Sequence, residues 1–595
     1  LLFVLQKPIF MAYYHELYTD ASIGDYFSVM WHGLPLDFSL AGYLTAIPGF
    51  LLIASAWTKS SILRRIRQGY FGIIAFVMSC IFIIDLGLYG FWGFRLDATP
   101  IFYFFSSPKD AMASVSFWFI LLGILAMLIY AAILYGIFYA VLIREKAPLK
   151  IPYQRQYVSL VLLLLTAALF IPIRGGFSVS TMNLSKVYYS QNQRMNHAAI
   201  NPAFSFMYSA THQNNFDKQY RFMDPKVADE LLTEMLDKPV AVTDSIPQIL
   251  NTQRPNIIFI ILESFSTHLM ETMGGQPNVA VNMDKFGKEG VLFTNFYANS
   301  FRTDRGLASI ISGYPGQPST SIMKYPEKTD GLPSIPRSLK NAGYSLEYYY
   351  GGDADFTNMR SYLVSSGIEK IISETDFPLS ERPGKWGAPD HTLFQRFLKD
   401  LKEEKQQEPF FKIVQTSSSH EPFEVPFYRL DDKVLNAFAY ADSCVGDFVR
   451  QYKETPMWKN TLIVLVPDHL GAYPRPVENP LEGHTIPLIL IGGAVKEPRV
   501  VDTYASQIDI AATLLSQLGL PHDDFTFSKN IFNPSSPHFG YFTEPTLFGM
   551  VTAENQLVYN LDANTVQIDE GTEKGANLEK GKAFLQKLYD DLAKR

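Results

Sequence analysis

Four long apolar segments in the first third of the chain restrict its possible folds more than any other feature. They lie at about 36–57, 72–93, 116–143 and 156–174. Each is long enough to cross a bilayer, which needs about 20 apolar residues. The opening LLFVLQKPIFMAYY has the composition of the end of a fifth span, and no small-residue cleavage site follows it, which argues against a signal peptide. Residues 1–175 are therefore predicted to form a five-helix transmembrane domain.

Basic residues in the loops between these segments predict the orientation. The loops at 58–70 and 144–155 carry Lys59, Arg64, Arg65, Arg67, Arg144, Lys146, Lys150 and Arg155. The loops at 15–35 and 94–115 hold fewer lysines and arginines. Because basic loops stay in the cytoplasm, five spans would place everything after about residue 175 on the extracytoplasmic side.

Charge and cysteine content exclude some classes of function. The net charge is −7, with no strongly basic patch, so no nucleic-acid partner is expected. The two cysteines, Cys80 and Cys444, lie in different regions. They form neither a disulfide framework nor a zinc-binding cysteine cluster.

The part of the chain after residue 254 has a different pattern, in which short apolar runs alternate with amphipathic helices. The runs lie at 256–262, 346–350, 410–416, 461–466 and 487–491. Nearly continuous apolar strands between helices are typical of a buried, mostly parallel sheet. We therefore predict an α/β domain over 254–595, joined to the membrane domain by a connector at 176–253.

Candidate metal ligands flank four of these five runs. Glu263 ends the first run, His420 follows the third, Asp468 and His469 follow the fourth, and His484 precedes the fifth. Ligands of open α/β sheets bind outside the carboxyl ends of the strands, so several of these side chains are expected to meet. Glutamate, aspartate and histidine together suit a divalent ion such as Mn²⁺, Mg²⁺ or Zn²⁺.

The stretch SFRTDRG at 300–306 supplies a candidate nucleophile, Thr303. A threonine hydroxyl reacts poorly near neutral pH unless a metal ion or a base activates it. The following residues are predicted to form a helix, whose start would favour an anion, and Arg302 and Arg305 could add positive charge for a phosphate. Considered alone, however, a threonine before an aspartate at a helix start is usually an N-cap.

The order of these residues resembles the sulfatase/alkaline phosphatase superfamily. The shared pattern is a glutamate at a strand end, a threonine forty residues later, a histidine in a Ser-His loop and an Asp-His pair after a strand. With five spans before the α/β domain, the chain more closely resembles the lipoteichoic acid synthase, or phosphoglycerol transferase, branch. It is also similar to the phosphoethanolamine transferases that modify lipid A.

The resemblance implies roles for specific residues. Glu263, Thr303, Asp468 and His469 would bind one divalent ion, often manganese in the synthase branch, with zinc or magnesium as alternatives. Thr303 would be the nucleophile that carries a phospho-headgroup. The substrate-binding residues would be His420, Asp353, Arg360, Trp386 and, as in phosphoethanolamine transferases, His484. The fold implied is a multi-span helical membrane domain followed by a sulfatase-like α/β domain.

The resemblance also implies a function and a location. The chain would be a multi-pass protein of a bacterial cell membrane that moves a phosphoglycerol-type headgroup from a phospholipid to a glycolipid or glycan. No Cys/Ser-x-Pro-x-Arg signature covers the window of Thr303, which argues against a true sulfatase. A phosphoethanolamine transferase, a phosphodiesterase and a non-catalytic membrane sensor remain alternatives.

Overall fold

The computed structural model describes residues 1–58, 61–92, 94–97, 117–144, 154–190, 192–211, 215–242, 244–403, 406–469 and 479–595. The chain divides into two compact units, Leu1–Asn214 and Asn215–Arg595. The boundary falls inside the predicted connector, whose first part belongs to the membrane unit and whose second part belongs to the α/β unit. Lys59, Lys146 and Lys150, which contributed to the predicted orientation, lie outside the described residues.

The first unit is helical, and four of the five predicted spans are present as long apolar helices. Among the described residues, four helices are long and apolar enough to cross a membrane: Leu34–Ser55, Ser61–Gly90, Phe117–Ile143 and Arg155–Arg174. The other helices of this unit are Leu2–Tyr13, Ile23–His32, Gln193–Ala199 and Pro202–Thr211. Leu2–Tyr13, at the position of the predicted fifth span, is apolar and 12 residues long. Arg64, Arg65 and Arg67, predicted to lie in a loop, are in the helix that begins at Ser61.

Two buried ion pairs hold the first unit together. The Lys7 ammonium donates to both carboxylate oxygens of Asp37, at 2.6 and 2.7 Å, and Asn201 donates to the same carboxylate at 2.8 Å. Arg95 and Asp85 form a second pair at 2.8 Å, with both side chains fully buried. Each charge therefore has an opposite charge beside it, which offsets the cost of removing it from water.

The second unit is an α/β domain with a central eight-stranded sheet in the order β5-β4-β6-β1-β7-β8-β2-β9. These strands are β1 Asn256–Leu262, β2 Val291–Phe293, β4 Ser345–Tyr350, β5 Lys370–Ile372, β6 Phe410–Gln415, β7 Thr461–Pro467, β8 Leu488–Ile491 and β9 Arg499–Val501. β3 (Phe296–Tyr297) and β10 (Ala505–Ser506) pair separately. β8 runs antiparallel to its neighbours β7 and β2, and the other pairs of the large sheet are parallel, as the sequence predicted.

Helices cover both faces of this sheet. They are Val281–Glu289, Thr303–Ser312, Pro326–Thr329, Ile335–Asn341, Met359–Ser365, Asp390–Glu403, Lys433–Tyr452, Pro480–Gly483 and Ile510–Gln517. Alternate residues of β1 face opposite cores, which is the period-2 geometry of a strand. Ile257, Phe259 and Ile261 lie in the core with Leu307, whereas Ile258, Ile260 and Leu262 lie in the other core with Phe448.

A second, antiparallel sheet closes the domain. It contains β11 Gly540–Glu544, β12 Leu547–Val551, β13 Asn555–Asn560 and β14 Thr565–Gly571. The last helix is Leu578–Lys594, and it is amphipathic. The connector helix Pro225–Met235 lies close to it, and Gln586 accepts hydrogen bonds from the backbone N–H groups of Phe222 and Met223. The second part of the connector is thereby fixed to the α/β domain.

Candidate metal and nucleophile site

The strand register brings two acidic residues together. β1 and β7 are neighbouring parallel strands in which Leu262 is opposite Pro467. The next residues along the two strands, Glu263 and Asp468, therefore leave the same edge of the sheet side by side. Both side chains are buried, at 4% and 0% exposure. Two carboxylates far apart in sequence thus share one position at the carboxyl edge of the sheet.

The helix Thr303–Ser312 carries the candidate nucleophile to this edge. The N-cap of the helix is Arg302, with no side-chain capping bond, and Thr303 is its first residue. The threonine hydroxyl is therefore not used as a cap. Gly306 allows the helix to lie close to β7, because a Cβ atom there would be 2.0 Å from the carbonyl oxygen of Asp468.

Four side chains meet as a result. The Thr303 hydroxyl oxygen lies 3.5 Å from Glu263 Oε2 and 3.4 Å from His469 Nε2. His469 Nε2 lies 3.6 Å from Glu263 Oε1 and 3.5 Å from Asp468 Oδ2. Glu263, Asp468 and His469 each offer one ligand atom, and these three atoms lie within 4.8 Å of one another. The predicted quartet is therefore a spatial cluster.

The electrostatics of the cluster fit a bound cation. Burial and the neighbouring Asp468 carboxylate raise the pKa of Glu263, because both make a second negative charge costly. Asp468 Oδ2 is buried, and among the described residues it has no hydrogen-bond partner. A cation would satisfy this oxygen and relieve the repulsion, and two carboxylates with one imidazole suit a divalent ion. These observations make Glu263, Asp468 and His469 a candidate metal site.

Hydrogen bonds from neighbouring residues fix the two carboxylates. Ser264 donates through its hydroxyl to Glu263 Oε1 at 2.7 Å and through its backbone N–H to Asp468 Oδ1 at 2.9 Å. Thr416 accepts from the Glu263 backbone N–H at 2.9 Å. We did not predict Ser264 or Thr416 as site residues. The sequence features that could have pointed to them are the position of Ser264 next to Glu263 and that of Thr416 at the end of β6.

His420 and Trp386 come together beside one loop. Their rings are 4.0 Å apart, and the Trp386 indole N–H donates to the carbonyl oxygen of Glu421 at 2.7 Å. His420 Nδ1 lies 3.1 Å from the same carbonyl oxygen. Burial lowers the pKa of His420, and the charges of Asp468 and His469 also act on it. His420 is therefore neutral at pH 7, with Nδ1 carrying the proton and Nε2 available as an acceptor.

Asp353 and Arg360 lie in and after the loop that follows β4. The Arg360 guanidinium donates to Asp355 at 2.7 Å and to Ser373 at 3.3 Å. Asp353 accepts the backbone N–H of Asp355 at 3.0 Å. The loop therefore holds both side chains in fixed positions, and their roles in substrate binding stay predictions.

His484 is buried at 3% exposure, and its ring stacks on Phe542 with centroids 4.0 Å apart. Burial lowers the pKa of His484 to about 4, so the ring is neutral at pH 7. Its Nδ1 lies 3.0 Å from the carbonyl oxygen of Pro480, which leaves Nε2 as an acceptor. A role for His484 in the site stays a prediction.

The two arginines beside Thr303 differ in position. Arg305 is buried, donates to the carbonyl oxygen of Gln317 at 2.8 Å and lies 4.6 Å from the Phe301 ring centroid. These contacts show a structural use that the sequence did not predict. Arg302 is exposed beside Thr303, so it is the arginine better placed to meet a phosphate from solvent.

Comparison with known proteins shows what the domain is similar to. Residues 255–520 match the family model described as Sulfatase, so this region resembles the sulfatase family. A crystal structure of a protein in the alkaline phosphatase superfamily from Vibrio parahaemolyticus matches with a TM-score of 0.55 and 26% identity, over 63% of this chain and 98% of that one. The predicted fold class is thereby confirmed.

Two curated relatives specify the resemblance further. The lipoteichoic acid synthase-like protein YvgJ of Bacillus subtilis (strain 168) is 23% identical over 47% of this chain and 50% of its own length. Phosphoglycerol transferase I of Xanthomonas campestris pv. campestris (strain B100) is 24% identical over 49% and 45%. The predicted resemblance to this branch is confirmed. The chain matches about half the length of these relatives.

Proposed function

We propose that this chain is a membrane-anchored, metal-dependent phosphotransferase that moves a phosphoglycerol-type headgroup from a phospholipid to a glycolipid or glycan acceptor. The observation that carries the proposal is the position of Thr303. Its hydroxyl oxygen lies within 3.5 Å of both Glu263 and His469, at the first residue of a helix. A hydroxyl placed between candidate metal ligands and free helical N–H groups suits attack on a phosphate.

Glu263, Asp468, His469 and the Thr303 hydroxyl would hold one divalent ion, which we take to be Mn²⁺. When bound, the ion supplies positive charge for the phosphate oxygens and lowers the pKa of the threonine hydroxyl. Ser264 keeps the two carboxylates in place through the hydrogen bonds described above, and Thr416 holds the backbone of Glu263.

In the first half of the reaction, the Thr303 oxygen forms a bond to the phosphorus of the lipid phosphodiester. The bond between phosphorus and the diacylglycerol oxygen breaks, and that oxygen takes up a proton as the threonine hydroxyl loses one. A covalent phosphodiester on Thr303 results. Arg302 and the first N–H groups of the helix stabilise the negative phosphate oxygens.

In the second half, an acceptor hydroxyl forms a bond to the same phosphorus and the bond to Thr303 breaks. The neutral His420, whose Nδ1 faces the Glu421 carbonyl oxygen, accepts the hydroxyl proton at Nε2. The departing Thr303 oxygen takes up one proton, and His420 releases one, so both side chains return to their starting states. The headgroup is bound by Asp353, Arg360 and Trp386. His484 adds a neutral hydrogen-bond acceptor for it. The two half-reactions form a ping-pong cycle.

The helices of the first unit would place the enzyme at the bilayer that contains its lipid donor. A phospholipid donor is present only in a bilayer, and the first unit has four helices able to cross one. The basic residues at the start of Ser61–Trp92 favour a cytoplasmic position for that end. We infer a multi-pass protein of a bacterial cell membrane whose α/β domain works outside the cytoplasm.

A phosphoethanolamine transferase is the second candidate. The buried, neutral His484 favours it, because the resemblance places a phosphate- or metal-binding histidine at this position in those enzymes. The two transferases differ in the mass of the group loaded on Thr303. A phosphodiesterase would use the same site with water as the acceptor.

Mass spectrometry of the full-length protein in detergent, after incubation with Mn²⁺ and mixed phospholipids, tests the proposal. We expect a phosphoglycerol adduct on Thr303, whereas phosphoethanolamine would support the second candidate. Thr303→Ala should lower lipid cleavage more than about 1,000-fold, as removal of a nucleophile does in other enzymes. Thr303→Ser retains a hydroxyl and should keep measurable activity.

Thr267→Ala is a matched control, because it removes a part-buried threonine hydroxyl that donates to the Thr485 carbonyl oxygen. Equal cleavage by the wild type and Thr303→Ala would exclude the mechanism. Steady release of glycerol phosphate, with no product from an added glycolipid, would identify a hydrolase instead.

A further inference from the structure

We propose that Asp390 is a positioning residue for the loop that presents His420, and that the segment 386–390 acts as a strap across this loop. The inference rests on the proposed function for the role of His420. The strap itself follows from hydrogen bonds and close contacts in the structure.

The Asp390 carboxylate binds one end of the His420 loop. Its Oδ1 accepts the backbone N–H groups of Ser417 at 2.9 Å and Ser418 at 3.3 Å. Its own backbone N–H donates to the Ser418 hydroxyl at 2.9 Å. Asp390 is 0% exposed, so water cannot replace these bonds, and their loss leaves buried N–H groups unpaired.

Trp386 binds the other end of the loop. It donates to the Glu421 carbonyl oxygen at 2.7 Å, and its ring lies 4.0 Å from the His420 ring. His420 is therefore held between two anchors of the same short segment. Ser419, in the same loop, donates to the Glu263 carbonyl oxygen at 2.7 Å, which ties the loop to the metal site.

The strap also contacts the loop after β4, which carries Asp353. The backbone N–H of Ala388 donates to the Gly351 carbonyl oxygen at 2.9 Å. Gly387 has φ +77°, and a Cβ atom on it would lie 2.1 Å from the same oxygen. One segment thereby sets the positions of two loops that carry predicted headgroup-binding residues.

The bonding pattern distinguishes positioning from direct chemistry by Asp390. Oδ1 makes both hydrogen bonds to the loop, whereas Oδ2 has no hydrogen-bond partner in the described part of the chain. An amide oxygen can accept the same two bonds, so Asp390→Asn should preserve the strap and Asp390→Ala should not. A residue that reacted through its charge would fail in both variants.

Asp442 provides a matched control. It is also 0% exposed and also accepts two backbone N–H groups, those of Asn282 at 3.0 Å and Met283 at 2.9 Å. Burial raises the pKa of Asp390 and of Asp442 to about 6. Asp442 also accepts the Asn282 side-chain amide at 2.8 Å. Asp442→Ala therefore removes a comparable set of buried hydrogen bonds, whose described partners lie outside the His420 loop.

Steady-state kinetics of the full-length variants in detergent, with phosphatidylglycerol vesicles as the donor, give the first test. We expect Asp390→Ala to lower kcat/KM about 100-fold, because small displacements of binding groups cost this much. Asp390→Asn and Asp442→Ala should remain within about threefold of the wild type. Equal losses in Asp390→Asn and Asp390→Ala, or in both alanine variants, would overturn the inference.

Hydrogen exchange gives a second test that does not depend on activity. The amides of 417–421 should exchange at least about tenfold faster in Asp390→Ala than in the wild type and in Asp442→Ala. Unchanged exchange would refute the strap, even if the wild type forms no adduct and the proposed function fails. Should Asp390→Ala not fold, Trp386→Phe removes the other anchor and should raise exchange in the same segment about threefold.

Discussion

The buried charges of the two units are arranged differently. In the membrane unit, Lys7 faces Asp37 at 2.6 Å and Arg95 faces Asp85 at 2.8 Å. In the α/β domain, Glu263 and Asp468 lie side by side, and within the described part of the chain the imidazole of His469 is their partner of potentially opposite charge. An opposite charge beside a buried charge offsets the free energy of removing it from water. Two adjacent carboxylates instead repel each other, and a bound cation would relieve this repulsion.

The contrast reflects function more than the type of unit, because the α/β domain also contains a buried ion pair. Lys529 and Asp509 are 2.8 Å apart, with side chains 2% and 1% exposed. Asp509 is an ion-pair partner, and Asp468 is a candidate ligand. Substitutions at these two kinds of site should therefore change stability in opposite directions.

The largest effect is expected from Asp468→Asn. It removes a negative charge from a candidate metal ligand, so the Mn²⁺ affinity measured by titration should fall more than about 100-fold. Loss of a residue that only hydrogen-bonds to a ligand has a smaller effect. The rate of lipid cleavage should fall more than about 1,000-fold, which is about 4 kcal/mol. Because the repulsion with Glu263 disappears, the metal-free variant should melt at a higher temperature than the metal-free wild type. A lower melting temperature would contradict our interpretation of the cluster.

Lys529→Met tests the paired arrangement. It leaves the Asp509 carboxylate buried without its cation, which should cost about 3–5 kcal/mol of stability, seen as a lower melting temperature. Mn²⁺ affinity should not change, since no metal ligand is altered. Adding Asp509→Asn to this variant removes the unpaired charge and should recover part of the loss. If Lys529→Met were as stable as the wild type, the ion pair with Asp509 would not stabilise the fold, and our distinction between paired and unpaired buried charges would be wrong.

A smaller effect is expected in the pH dependence of the metal-free protein. A carboxyl group whose pKa is raised in the folded state binds more protons when folded, so stability falls as pH rises from its ordinary value towards the raised one. Glu263 should therefore make the metal-free protein less stable at pH 7.5 than at pH 4.5, by more than about 1 kcal/mol. Melting curves of Glu263→Gln should lack this contribution. Mn²⁺ should stabilise the wild type more as pH rises, because its ligands must be deprotonated.

Much of the fold was predictable because its local patterns are strong. β1 occupies the predicted residues 256–262, and an amphipathic helix, Lys433–Tyr452, lies between two of the predicted apolar runs. Continuous apolar runs determine such strands, and apolar spacing determines such helices. The sequence did not predict the three-residue strands β2, β5 and β9, since segments this short carry no periodicity and are stabilised by their neighbours in the sheet.

The candidate site was predictable in its residue types but not in its supporting contacts. Glu263, Asp468 and His469 follow strands, and parallel strands bring their carboxyl ends together. The burial of Arg305 against Gln317 and the binding of Ser417 by Asp390 depend on loops without a repeating pattern. No spacing rule connects residues 27 positions apart through an irregular segment.

By itself, the sequence determined the helices long and apolar enough to cross a membrane, the α/β class of the second unit and the candidate residues for metal and phosphate chemistry. Apolar length, strand periodicity and side-chain chemistry are local properties, and they can be read without coordinates. Only the tertiary structure decided that Thr303 is not a cap and that its hydroxyl lies beside Glu263 and His469. This distinction depends on the approach of a helix to a strand at Gly306, which is a property of packing between distant segments.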